Sequence, residues 1–496
     1  MESQKVRKVV IAGGGTAGWI AAATLSRLLG PLLDITLVES DDIGTVGVGE
    51  ATIPTHRTFH HIIGIDEREF MRATKATFKL GIAFENWARI GDRYIHSFGQ
   101  VGKPNWMGEF FNIWMLARDQ GLGGPLDDYC FELKAAEAGK FFTSEQSNIN
   151  YAYHLDASLY ASFLRGLCEG RGVRRVEGLI DQVEQDAESG FISALKLKSG
   201  ERIEGDFFVD CTGFRGVLIE QTLKTGYEDW SHWLPTDSAL AVQTRSTGPA
   251  MPYTRSIAHH AGWQWRIPLQ HRVGNGLVFC SRFMSPEEAH DLLLMKVDGE
   301  LLTEPRLIRY KTGRRRKVWN KNCFALGLSS GFVEPLESTS IHLIQINATR
   351  LVQKFPFSGC SEALASYFNE QSHRELERIR DFLVLHYKLT ERDDSPFWIA
   401  QRDAEIPDSL AQRIALFRDN GVLYREPDDL FLMDSWLQVM LGQRLQPKGY
   451  HHLGRLMTDE QMQMVLNGIS GNIDKALARM PAHQDFVDQY CRADEA

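Results

Sequence analysis

The sequence predicts an α/β protein: a nucleotide-binding body carrying a sheet-rich insertion, followed by a helical C-terminal portion. Three observations lead there. Residues 6–40 order a strand, a glycine turn, a helix and a second strand, which is one βαβ unit. Further strand-like runs are scattered through residues 191–327. From about residue 345 onward, long amphipathic helical patterns take over. A chain of 496 residues is too long for one ordinary domain. The expected division is a body over residues 1–345 and a helical substrate-binding portion over 346–496, with about 60–150 and 220–310 partly facing a substrate.

In the first unit VRKVVIA (6–12) reads as a short buried strand, because Val9, Val10, Ile11 and Ala12 run apolar up to Gly13. WIAAATLSRLLG is a helix of small residues that stops at Gly30 and Pro31, and DITLVES (34–40) is the second strand. Later strands are predicted at 191–198, 202–210, 239–244, 264–269, 276–283 and 322–327, and helices at 155–169, 364–388 and 457–467.

Composition narrows the function classes. Fifty-five Lys and Arg against 64 Asp and Glu leave a net charge of −9, which argues against nucleic acid or an anionic membrane as the main partner. With 43% hydrophobic and 24% charged residues the chain is neither disordered nor fibrous. Seven scattered cysteines, with no CxxC pair and no histidine at ligand spacing, fit a reducing cytoplasm and offer no metal site. The basic, apolar N-terminus could pass for a signal peptide, but its three successive glycines and continuing helix argue otherwise. No membrane span is expected, since no stretch of about 18 residues stays apolar. Forty-three Gly and 11 Trp stand out, suggesting tight backbone turns and aromatic walls.

Gly13, Gly15 and Gly18 form G-x-G-x-x-G between the first strand and its helix. In that position Gly13 permits the turn, Gly15 lets the backbone approach a pyrophosphate, and Gly18 lets helix and strand pack closely. Glu39, at the end of the second strand, is placed to hydrogen-bond a ribose diol. FAD is favoured over NAD on two grounds. The glycine-rich GTVGVGEATIPT (44–55) follows the second strand and can run along a flavin, and FFVDCTGFRG supplies another strand end, at Asp210, for an extended cofactor. No second G-x-G-x-x-G follows a strand, so an external reductant is expected.

Eight segments carry a resemblance: VVIAGGGTAGW, VGVGEATIPT, FKLGIAFENW, YHLDASLYASFLR, DCTGFRG, GWQWRIP, GFVEPLESTSIHL and HYKLTERDDSPFW. Together they resemble the flavin-dependent tryptophan halogenase family over most of the chain. WQWRIP (263–268) matches the W-x-W-x-I-P signature that separates these enzymes from related hydroxylases. The resemblance implies a Rossmann-type FAD-binding fold of the GR2, hydroxybenzoate-hydroxylase-like class. It implies cofactor contacts at Gly13, Gly15, Thr16, Ala17, Gly18, Glu39, Glu50, Ala51, Ile180 and Leu336. It also implies a reaction in which reduced FAD from a separate flavin reductase, with oxygen and chloride or bromide, yields hypohalous acid that travels to a lysine, here Lys79. Glu337 takes the place of the carboxylate near the substrate ring, and Thr339 and Ser340 take that of the halide site. The implied substrate is an indole or tryptophan-like aromatic, and the implied state a cytoplasmic monomer or homodimer. The alternative on the same fold is a FAD-dependent aromatic ring hydroxylase.

Each assignment has a plainer counterpart in the residues. EFMRATKATFKLG looks helical, and Lys79 alone reads as a solvated helix lysine. Glu337, Ser338 or Thr339 could cap the apolar helix that follows. Trp263 and Trp265, two apart on a strand, share one side and mark a wall rather than a catalytic group. His154 and His386 read as hydrogen-bonded core histidines, and GRRRK (313–317) as a solvated hairpin. In SWLQVMLGQRLQPKGYHHL (435–453) no clear tyrosine pair and glutamate clamp for an amino acid can be matched, which makes a differently substituted or unsubstituted indole plausible.

Overall fold

Strand Lys8–Ala12 buries every residue after Lys8, and it occupies the interior of a six-stranded sheet. Its neighbours Phe207–Asp210 and Asp34–Glu39 both run parallel to it, as do Cys323–Ala325 and Arg174–Glu177 further out; Trp319–Asn320 pairs antiparallel at one edge. A parallel strand covered on both faces needs a continuous apolar run, and the first strand has one. Helix Thr16–Leu29 packs on this sheet with helices Ala157–Gly170 and Ser340–Gln353 beside it. This computed structural model describes residues 5–43, 49–103 and 108–494. Residues 44–48 of the glycine-rich loop therefore lie outside the described residues.

The insertion is a seven-stranded sheet in the order Arg306–Arg309, Ser238–Thr244, Val273–Phe279, Gly262–Pro268, Thr254–His259, Gly81–Glu85 and Arg93–Ser97. All its pairings are antiparallel except the one joining Thr254–His259 to Gly81–Glu85. A small sheet of Gly49–Ala51, Ala152–Asp156 and Thr77–Lys79 lies against the insertion, with Gly49–Ala51 touching strands Gly262–Pro268 and Val273–Phe279. Beyond Ser340 the chain is helical, the longest element being the 27-residue helix Glu362–Lys388. One apolar core runs from Val6 to Cys491. Among the described residues no helix is long and apolar enough to cross a membrane.

Several expectations change. The predicted strand 202–210 is two strands in different sheets, Arg202–Glu204 and Phe207–Asp210. The chain bends at Asp206, whose carboxylate accepts from the backbone N–H groups of Arg7 (2.9 Å) and Lys8 (2.8 Å), tying the second piece to the central strand. Lys79 is on a strand, not a helix, because the helix Glu67–Ala73 ends at Thr74 and Lys75 takes the left-handed conformation (φ 50°) that reverses the chain. The basic run at 313–317 is no solvated hairpin. Arg315 is buried, paired with Glu220 at 2.7 Å, and Arg314 pairs with Glu228 (2.8 Å) and Glu377 (2.9 Å). The last predicted helix is longer than 457–467, extending over Asp459–Ala478. Of the 11 tryptophans, Trp19, Trp87, Trp230, Trp319 and Trp398 are core rather than wall, fully buried in packing.

Trp265 has its room from a cross-strand glycine. It pairs with Gly276, and a Cβ on Gly276 would fall 2.0 Å from the Trp265 ring. Gly276→Val should therefore displace Trp265 and lower unfolding free energy by about 1–3 kcal/mol, the usual cost of overpacking, as read by urea denaturation. An unchanged midpoint would show that the indole can move aside freely.

Candidate active site

A cavity of about 810 Å³ is lined by residues of the body and of the insertion. Gly13, Gly15, Thr16 and Ala17 of the glycine turn line it together with Glu39, as do Glu50 and Ala51 of the small sheet. Ile180, Leu336 and Ser340 also line it, and so do Trp263 and Trp265 of the insertion. Gly18 does not: a Cβ there would lie 1.9 Å from the Gly13 carbonyl, so its task is the close packing of helix on turn.

The turn is shaped for a pyrophosphate. Gly13 has φ 108°, and a Cβ on it would meet the Cys211 carbonyl at 2.3 Å, which only glycine avoids. Gly15 has open space where its Cβ would be, and helix Thr16–Leu29 starts with no side-chain cap and no acidic residue in its first turn. Its first N–H groups and the positive end of its dipole are therefore free to hold an anion. Other polar lining atoms also lack partners, notably Ser256 Oγ and Asn347 Oδ1, both buried. A long cofactor with a diphosphate and a polar ring system fits these vacancies. Glu39 lies against Gly14, but its Oε1 also accepts from Arg175 Nε at 2.5 Å. Arg175 further pairs with Asp41 (2.7 Å) and Glu177 (2.6 Å), a cluster that the sequence motif did not announce. Burial pushes the Glu50 carboxyl up to about 7.

Lys79 lies outside the cavity lining and has no exposed surface. Its Nζ donates to the Thr52 carbonyl (3.1 Å) and to Ser338 Oγ (2.8 Å), and Ser338 does line the cavity. Burial brings the Lys79 amine down to about 7, with the nearby Glu337 charge opposing the shift. Ser338 is held in the left-handed region (φ 59°), a strained choice for a residue with a Cβ.

Glu337 is buried too, at 1% exposure. His96 Nδ1 lies 3.1 and 2.9 Å from its two oxygens, and His386 Nε2 lies 2.8 Å from Oε1, outside hydrogen-bond alignment, so that second contact is chiefly electrostatic. His386 Nδ1 meets the Phe382 carbonyl at 2.8 Å, which requires Nδ1 to carry a proton. Burial favours the neutral acid, but the two imidazoles outweigh it and bring Glu337 down to about 2. His386 is thus the hydrogen-bonded core residue expected, and a partner of Glu337 as well. His154 is a core histidine, set between the hydroxyls of Thr77 (3.1 Å) and Thr254 (2.9 Å). His96 was missed, since one histidine in the strand RYIHS carries no pattern of its own.

None of the three proposed capping side chains caps the following helix. Glu337 faces histidines, Ser338 bonds Lys79, and Thr339 occupies the N-cap with no side-chain bond, its Oγ1 buried and unpartnered.

One cavity running from a dinucleotide turn to an indole wall, with a buried lysine joined to it through Ser338, belongs to a FAD-dependent enzyme rather than to a compact nicotinamide site. The family model for tryptophan halogenases matches residues 8–459. A tryptophan 6-halogenase of Streptomyces toxytricini is 39% identical over 443 residues, covering 84% of each chain. Among solved structures, a flavin-dependent halogenase from Xanthomonas campestris superposes with a TM-score of 0.98 at 52% identity, covering 99% of this chain and 100% of that one. A second, from Brevundimonas sp. BAL3, gives 0.94 at 42% identity, covering 98% and 99%. This chain belongs to the tryptophan halogenase family. It is a flavin-dependent halogenase that uses FAD and halide, with reduced FAD supplied by a separate flavin reductase, and the ring-hydroxylase alternative is not favoured.

The buried amine has a signature in stability. Between about pH 7 and the ordinary lysine value of 10.5 the unfolded chain binds the Lys79 proton and the folded chain does not. Stability contributed by this position therefore rises with pH across that window. Wild-type protein should gain melting temperature relative to Lys79→Met between about pH 6.5 and about pH 9.5 in scanning fluorimetry. A constant gap would mean that the amine is not shifted.

Proposed function

We propose that this enzyme halogenates an indole-type aromatic at a site between Lys79 and Glu337. The reading rests foremost on the hydrogen bond from the buried Lys79 amine to Ser338, which joins the lysine to the wall of the cofactor cavity and sits next to Glu337 in sequence. FAD is assigned to Gly13, Gly15, Thr16, Ala17, Gly18, Glu39, Glu50, Ala51, Ile180 and Leu336. When bound and reduced, it supplies with oxygen the two-electron oxidation that turns halide into hypohalous acid. The halide is assigned to the backbone N–H groups around Thr339 and Ser340, which open a helix that has no side-chain cap and no acidic residue in its first turn.

Lys79 then has two competent forms near neutral pH. As an ammonium it donates a hydrogen bond that polarises the hypohalous acid; as an amine it accepts the halogen itself. A carboxylate kept ionised at Glu337 stabilises the cationic ring formed on halogen attack and lies ready to accept the ring proton. Substrate contacts are assigned to residues 346–496, with 60–150 and 220–310 partly facing the same space. Segment 435–453 lacks a clear clamp for an amino acid's carboxylate and ammonium, which favours an indole without that group over free tryptophan. The seven cysteines, all free, suit a cytoplasmic enzyme. We take the enzyme as a monomer or homodimer that needs no stable complex with its reductase.

With FAD, a flavin reductase, NADH, oxygen and bromide, the purified protein should convert indole to a product showing the paired bromine isotope peaks in mass spectrometry. A hydroxylated product instead would return the enzyme to the ring-hydroxylase class. Lys79→Ala should abolish halogenation while NADH and oxygen are still consumed. Glu337→Gln should slow product formation by about 10²-fold or more without slowing oxygen uptake; an unchanged rate would deny Glu337 any part in the ring step.

A further inference from the structure

Glu334 stands three residues before Glu337, is fully buried, and has no contact with the lysine site. Its carboxylate reaches the insertion sheet instead. One oxygen, Oε2, accepts from Thr236 Oγ1 at 2.6 Å and from Trp263 Nε1 at 3.4 Å, and the buried Tyr387 hydroxyl faces the same carboxylate. The Tyr310 hydroxyl donates to Thr236 Oγ1 at 3.0 Å. Trp263 and Tyr310 line the cofactor cavity, and Glu334 and Thr236 lie behind them.

With Glu334 as a carboxylate, the direction of this network is set. Thr236 has a single hydroxyl proton and gives it to Glu334, so it can only accept from Tyr310. Tyr310 consequently keeps no proton for a group in the cavity. The indole N–H of Trp263 is that ring's one polar atom, and a buried indole N–H needs an acceptor to hold its orientation. Burial raises the Glu334 carboxyl, against the hydrogen bonds from Thr236, Tyr387 and Trp263.

We propose that Glu334 is a positioning residue for the oxidative half of the reaction: its Oε2 fixes the Trp263 ring and, through Thr236, the Tyr310 hydroxyl, so that the cavity wall stays closed to water. The inference rests on reading this cavity as the place where halide is oxidised. In coupled turnover the two electrons and two protons of reduced FAD, one oxygen molecule, one halide, one further proton and one aromatic C–H yield one halogenated product and two waters. When the wall leaks, the same two electrons and two protons leave with the oxygen as hydrogen peroxide.

The test compares Glu334→Leu with Glu334→Gln. Glutamine keeps an acceptor oxygen for Thr236; leucine keeps the volume and leaves the Trp263 N–H and Thr236 hydroxyl unpaired. Three quantities are read: melting temperature, the dissociation constant of oxidised FAD by quenching of its fluorescence, and peroxide released per halogenated product. Glu334→Leu should bind FAD within about threefold of wild type yet release at least about fivefold more peroxide per product, and Glu334→Gln should stay within about twofold on both. Wild-type coupling in Glu334→Leu overturns the proposal. So does a parallel loss of FAD affinity in both variants, which would make Glu334 part of cofactor binding. If the leucine variant does not fold, Thr236→Val releases the Tyr310 branch alone; it should raise peroxide release, and no rise overturns the proposal. Should the wild-type protein halogenate while these variants leak no more than it does, only this inference fails.

Discussion

An amine with no exposed surface cannot hold its place by solvation, so the structure around Lys79 is organised by where that amine finds partners. It has two, the Thr52 carbonyl and the Ser338 hydroxyl, and they come from segments 286 residues apart in number. Ser338 in turn is fixed by the turn Pro335–Glu337, whose Glu337 is anchored by histidines from strand Arg93–Ser97 and helix Glu362–Lys388. Body, insertion and helical portion are thereby joined at one small group of buried polar atoms. Removing one partner from such a group leaves another charge or dipole buried alone, which typically costs about 3–5 kcal/mol for an ion pair.

The parts of the fold legible in the sequence are those where one physical demand acts on a short window. A parallel strand covered on both faces must be apolar, and a pyrophosphate turn must have glycine; both showed at residues 6–18. The strand at Lys79 did not, because TFK is three residues long and its conformation is decided by the reversal at Lys75 and by pairing with Ala152–Asp156. The basic run at 313–317 misled for a related reason. Its arginines are satisfied by Glu220, Glu228 and Glu377, partners no local window contains.

The site divides the same way. Glycine positions and Glu39 follow from a motif with a mechanism, whereas Lys79 and Glu337 were reached only through family resemblance. His96 and Glu334 belong to neither group: their chemistry depends on distant neighbours, and a lone histidine or glutamate is a common residue. Arg175 shows how such neighbours modify a motif, since it shares the Glu39 carboxylate expected to face a ribose.

Two carboxylates three residues apart also answer a question of charge. The chain carries −9 overall, yet its reactant halide is an anion, and the helix start proposed to hold it follows directly after Glu334 and Glu337 in sequence. Their surroundings treat them oppositely. Burial raises the Glu334 carboxyl against the hydroxyls and indole N–H that donate to it, and Glu337 keeps its charge but has imidazoles against both oxygens. Neither presents a bare negative charge to the cavity. The local field at that turn is thus set by burial and by neighbouring imidazoles more than by the overall charge of the chain.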